Sequence, residues 1–228
     1  MPDPMSLAHA VSTAAGVVAG LIRERLATRA GSFPLTRANY RVKMAEALTE
    51  YLASDKPITS YKSRVNRAML EAFSSAFYIG YEETSGSLVD VDPDADAWLT
   101  SRQNTELGYI GELFAALKVA RDEFWHGEID ADDLRALVAA RVNGYSNTLE
   151  AVYNAGRMWG AKNKMLTWHL GSTHEHCDTC ARLNGQSHRA RWFVARNLIP
   201  RRPGAAMECG GYQCGCYFTD KDGNRFTL

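Results

Sequence analysis

No cysteine occurs before residue 177, and the five present stand at 177, 180, 209, 214 and 216 of a 228-residue chain. An odd, clustered set is a poor disulfide framework. Net charge is missing too, because 26 Lys and Arg balance 26 Asp and Glu. That excludes global electrostatic attraction to nucleic acid or membrane and leaves only local patches to consider. The longest weakly polar run, "AVSTAAGVVAGLI" at 10–22, is too short and too rich in Ser, Thr and Gly to span a bilayer. With Asp3 before it, no basic residue ahead of it and Arg23, Glu24 and Arg25 directly after, it does not match a signal peptide either. The expectation is a soluble, intracellular chain in which this run is a small-residue helix. Internal repeats and low-complexity segments are absent.

What is present is helical periodicity. Residues 5–29 and 37–53 read as helices separated by "GSFPLT", in which Gly31 and Pro34 break one and precede the next. After "SDKPITS" the residues Val65, Met69, Phe73, Phe77 and Tyr81 recur at four-residue spacing and predict a third helix. Asp92 is a candidate N-cap with Pro93 at the first helical position, and Ile110, Leu113, Phe114, Leu117 and Phe124 carry that helix to about 125. Asp130, with Asp132 and Asp133 in the favourable first turn, starts one or two more helices running up to Met165. Small residues Ala14, Ala15, Gly16 and Ala19 form a face suited to close helix approach.

Beyond Trp168 no helical period lasts two turns, so the chain divides into a helical region, 1–167, and a Cys-rich lobe, 168–228. Cys216–Thr219 and Arg225–Leu228 flank an Asp-Gly and predict a terminal β-hairpin. The expected fold is mainly α: a helical bundle or extended helical region followed by a small zinc-binding lobe.

Cys177-x2-Cys180 and Cys209-x4-Cys214-x-Cys216, 28 residues apart, are two clusters that one tetrahedral ion can join. We expect one zinc ion held by four of the five. A redox reading of C-x-x-C wants a βαβ setting that the sequence lacks. A catalytic thiol lacks a Ser, Asn or Asp signature nearby. The ligand set stays open. Residues i and i+2 of an extended chain hold their sulfurs about 6.6 Å apart, whereas two sulfurs on one zinc lie about 3.8 Å apart. Cys214 and Cys216 can both ligate only if Gly215 lets the backbone bend; Cys209 with Cys214 is the competing pair, with Gly210 and Gly211 supplying a turn. His174 and His176 are further candidates, as ligands or as groups orienting one.

Between Asp178 and Glu208 lie six arginines, 182, 189, 191, 196, 201 and 202, with His188 and no acidic residue. This stretch can meet DNA phosphates or an acidic protein face, or serve as a solvated loop. Trp192 and Phe193 within it are expected as core anchors. For a metal-dependent nuclease, Asn184 and His188 are the only nearby His–Asn–His candidates, and no later histidine exists.

From Asn147 onward, "NTLEAVYNAGRMWGAKNKMLTWHLGSTHEHCDTCARLNGQ", a basic loop and then "CGCYF" resemble the C-terminal region of the Mu F-like minor head proteins of tailed phages, also called head morphogenesis proteins. Glu150, Trp168, Cys177, Cys180, Leu183, Gly185, Pro200, Pro203, Cys214 and Cys216 stand in the family's order over about a third of the chain. "ECGGYQ" replaces the His-Pro pair the family often has before its last two cysteines, and Leu149 separates the usual Thr-Glu pair. The resemblance implies a non-enzymatic virion protein of the head or neck, made in the host cytoplasm, that associates with the portal or connector and assists assembly or DNA packaging and ejection. A nuclease or a DNA-binding zinc protein is the alternative.

Overall fold

The computed structural model describes residues 32–53, 57–172, 175–200, 206–211 and 214–228. The expected helix at 5–29, with its small-residue face, lies outside the described residues, as do His174, Arg201, Arg202 and Pro203. Four long helices make the body: α1 (Phe33–Leu52), α2 (Ile58–Ser85), α3 (Pro93–Trp125) and α4 (Ala131–Gly160).

The sequence signals account for their ends. Asp92 accepts the Asp94 amide at 3.0 Å, with proline at the first turn. Asp130 accepts the amides of Asp132 and Asp133 at 2.7 and 2.9 Å while Asp133 accepts the Asp130 amide, a reciprocal cap that satisfies donors the helix leaves open. Gly86, at φ +78°, closes α2 in the left-handed conformation that glycine adopts without steric cost. The apolar stripe Val65, Met69, Phe73, Phe77 and Tyr81 is buried, and α2 packs most extensively along α4.

That packing depends on glycines. A side chain at Gly80 would strike the Tyr153 carbonyl, one at Gly156 the Phe77 carbonyl, and one at Gly160 the Tyr81 carbonyl and the Thr84 hydroxyl. The two backbones therefore lie in direct contact, and Thr84 bridges them by donating its hydroxyl to the Arg157 carbonyl at 2.8 Å.

Residues 131–160 form one continuous helix, and it ends at Gly160 rather than at Met165. Hydrogen bonds from Lys162 to the Trp159 carbonyl and from Lys164 to the Ala161 carbonyl turn the chain, and Met165 opens strand β1 (Met165–His169). Within it Leu166 and Trp168 face the core while Thr167 and His169 do not, the period-2 pattern of a half-buried strand. The last long helix thus ends five residues before the expected Met165.

The remaining elements are α5 (Asp178–Leu183), β2 (Ser187–Arg189), α6 (Ala190–Ala195), β3 (Tyr217–Thr219) and β4 (Arg225–Phe226). Their antiparallel sheet has the order β2-β1-β3-β4, with Trp168 opposite Phe218 and Leu166 opposite His188. The β3–β4 hairpin appears where expected, with shorter strands: Asp220 accepts the amides of Asp222 and Asn224, and Gly223 takes φ +81°. Trp168, Phe193 and Phe218 pack edge to face and tilted at the centre of the lobe. One continuous set of buried side chains joins them to Met158 and Trp159 of α4. No helix among the described residues is long and apolar enough to cross a membrane.

An ion pair ties the turn after α4 to the cap of α3: Lys162 Nζ lies 2.8 Å from Asp92 Oδ2. That hydrogen bond holds the Asp92 carboxyl below its ordinary value. Its contribution is therefore present at neutral pH and is lost as pH falls through the carboxylate range. Asp92→Ala, which removes cap and ion pair together, is expected to cost about 1–2 kcal/mol. Thermal melts at pH 7 and at successively lower pH check this: the difference between the two chains should be largest at pH 7 and shrink as the pH falls below the ordinary carboxylate value.

Candidate metal centre

Two loops and a short helix bring the cysteines together. Cys177 precedes α5 and Cys180 lies within it, buried, one turn along. Glu208 then clamps the second cluster to the first: its carboxylate accepts the Thr179 amide at 2.8 Å at the start of α5, and Arg182 of the same helix lies 3.7 Å from its other oxygen. The Thr179 hydroxyl and amide hold the Glu208 carboxyl down to about 2. Gly210 and Gly211, at φ +57° and +74°, turn the chain behind Cys209 as the sequence suggests. Gly215 packs with its carbonyl against Gly171, where no side chain fits.

The sulfurs form two trios, Cys177–Cys180–Cys209 and Cys180–Cys214–Cys216, each with its sulfurs within 4.8 Å of one another. Cys180 belongs to both. Its sulfur is 3.7 Å from that of Cys214, close to the roughly 3.8 Å that two thiolates on one tetrahedral zinc require. Cys214 and Cys216 stand close enough to share an ion, nearer than the roughly 6.6 Å of an extended i, i+2 pair. All three members of the second trio are buried, while Cys177 and Cys209 are half-buried. His176 places Nδ1 3.9 Å from the Cys216 sulfur, at the edge of the cluster. The Met207 thioether lies 3.9 Å from Cys180 and adds a soft, apolar wall. The cluster is thus a soft-donor cage compatible with a metal ion.

The enclosed thiols mostly resist ionisation. Burial, together with neighbouring thiols and their charges, pushes the thiols of Cys180, Cys209 and Cys214 above their ordinary value. Cys177 differs: burial opposes its ionisation, but hydrogen bonds from the amides and thiols of Cys180 and Cys209 outweigh that and hold it low. Several thiolates confined together repel unless a cation compensates them, so thiols protonated at pH 7 must release protons when a metal enters. We expect about two or more protons per ion bound at pH 7, and an apparent affinity that falls about tenfold per pH unit for each proton displaced. Adding a thiophilic divalent ion to the metal-free chain in weak buffer with a pH indicator measures this. Uptake without acidification would contradict it.

The other candidates go elsewhere. Asn184 accepts the Leu170 amide through Oδ1, and His188 stacks on Trp192 with ring centres 3.8 Å apart while its Nε2 meets Gln186. Both hold the lobe's own strands and loops. Phe193 is the buried anchor that was expected; Trp192 is half-exposed between His188 and the Arg196 guanidinium, which lies 4.4 Å from its ring centre. Arg182, Arg189, Arg191 and Arg196 are exposed. What sequence reasoning missed is the clamp, Glu208 on Thr179; an acidic residue directly before Cys209 was the one available signal. No family model matches the chain, and neither a curated protein nor a solved structure matches it.

Proposed function

We propose that this protein is a non-enzymatic component of a tailed-phage head or neck, similar to the Mu F-like minor head proteins, whose C-terminal lobe is organised by one zinc ion. The observation that carries the reading is the placing of five of the ten residues on which the resemblance rests: Trp168, Cys180, Leu183, Cys214 and Cys216 are buried in one small lobe. Residues with a shared structural task are expected inside, whereas a reaction centre needs an open ligand position. Zinc suits the donors, since it favours thiolates in tetrahedral array and needs no redox partner. Cys177, Cys180, Cys214 and Cys216 are the ligands we assign, because Cys180 joins the two trios, its partners Cys214 and Cys216 in the second are also buried, and Cys177 stands in the C-x-x-C with Cys180; Cys209 and His176 flank them. The zinc-stiffened lobe then presents exposed Arg182, Arg189, Arg191 and Arg196 to an acidic face of the portal or connector, or to packaged DNA.

Co-expression with each portal, connector and head protein in turn, followed by size exclusion at low and high salt, tests the reading. The expected result is a complex with one of them that weakens with salt, because exposed charge pairs are screened beyond about 8 Å at physiological ionic strength. Mass spectrometry of purified particles, or of assembly intermediates if the role is transient, should find the chain. A chain that meets no head component and is missing from both would overturn the proposal, and metal-dependent cleavage of DNA by the pure protein would replace it with the nuclease.

A further inference from the structure

Away from the cysteines, a groove of about 750 Å³ lies between α1, the start of α4 and the end of α3. Its floor is apolar, with Leu52, Leu134, Val138 and Val142, and its walls are small or open, with Ala45 and Ala139. On α1 the positions Leu35, Ala38, Val42, Ala45, Thr49 and Leu52 recur at alternating spacings of three and four, the seam of a helix packed against another helix. Yet Leu35 and Val42 are 55 and 56 % exposed. An α-helix with a continuous seam of this kind is built to be covered.

We propose that the groove is filled by this chain's own residues 10–22. Thirty-one residues precede Ser32, joined directly to the start of the helix that forms one wall. Gly31 and Pro34 punctuate the junction, the chemistry of a short turn between antiparallel helices. In such a hairpin centred on residue 31, a residue a given number of places before the turn lies beside the one the same number after it. Residues 10–22 then fall beside 40–52. The groove runs from Arg41 to Leu52 of α1 and to Ala53 just after it. The match is in chemistry as well as register: 10–22 carries no Asp, Glu, Lys or Arg, whereas Arg23, Glu24, Arg25 and Arg29 fall beside 33–39, outside the groove. Val11, Ala15, Val18 and Ile22 recur at spacings of four, three and four, the complement of the α1 seam, and Ala14, Gly16 and Ala19 permit close approach to a shallow groove. Thirteen residues of helix span about 20 Å, the length of the stretch from Arg41 to Ala53 along which the groove runs.

Hydrogen exchange of the full chain, read by mass spectrometry, tests this. Amides of 10–22 are expected to exchange at least roughly a hundredfold more slowly than unstructured chain, independently of protein concentration. Val42→Glu with Ala139→Glu, both on the groove wall, should remove that protection while amides of Phe73–Tyr81 in α2 stay slow. Val18→Glu should do the same from the other side, without touching the described helices. Fast exchange of 10–22 in the unaltered chain would overturn the proposal. So would protection that appears only at concentrations where the chain dimerises, which would assign the groove to a second copy, or only with a bound head protein. Protection unchanged by the groove variants would place the segment elsewhere and overturn it equally.

Discussion

Cys180→Ser is expected to abolish stoichiometric metal binding and to unfold the segment from Met165 to Leu228, while the far-ultraviolet signal of the long helices largely remains. Cys180 is the one sulfur in both trios, so its loss leaves neither cluster able to close on the other. A structural zinc contributes on the order of 10–16 kcal/mol of apparent binding energy in small metal-organised units. The lobe's own core, centred on Trp168, Phe193 and Phe218, is small against that. Metal analysis, circular dichroism and limited proteolysis after residue 165 read the outcome together. Cys209→Ser is the contrasting variant: lying outside the assigned ligands, it should retain about one zinc per chain. A Cys180→Ser protein that keeps its metal, or a Cys209→Ser protein that loses it, would refute the assigned set. Loss of all helical signal in Cys180→Ser would show instead that body and lobe melt as one unit, which their continuous buried core makes a real alternative outcome.

Gly156→Val is expected to destabilise the helical body by about 3 kcal/mol or more, the upper range for overpacking, because the clash is with backbone that cannot rotate away. For a chain of this size that lowers the melting temperature by roughly 6–12 °C. The sign is informative, since in an exposed helix replacing glycine with a residue that has a side chain generally gains helix propensity. Gly144, in the same helix with open space around it, supplies the control: Gly144→Ala should stabilise by about 0.5–1 kcal/mol. Calorimetry of the two variants separates close packing of α2 on α4 from a simple propensity effect, and equal melting temperatures would remove the case for direct backbone contact.

The helices were legible because their signals are local. Four-residue spacing on α2, proline after Asp92 and the acidic turn after Asp130 each act within one or two turns of the chain, and each appears where the sequence puts it. Strand β1 was not legible as a strand, since five residues carry too short an alternation to compete with the helical pattern running into them, and only pairing with Ser187–Arg189 and Tyr217–Thr219 makes Met165–His169 extended. Glycines 80, 156 and 160 read as weak points of helices until the facing carbonyls are known.

The candidate metal centre divides in the same way. Residue type and spacing alone determined that the chain carries two soft-donor clusters, each closed by a short turn, because thiol chemistry and turn length are properties of a few consecutive residues. They also determined the alternation of helix and cap that builds the body. Only the tertiary structure decided that Cys180 is shared between the trios, that Cys214 and Cys216 share a side, and that Glu208 locks one cluster onto the other. The first and last of these relations join residues 29 to 34 positions apart, and their distances depend on how the sheet and α5 pack around Trp168. Local patterns carry no information on that closure, since it depends on burial and contacts made across the fold rather than on neighbours in the chain.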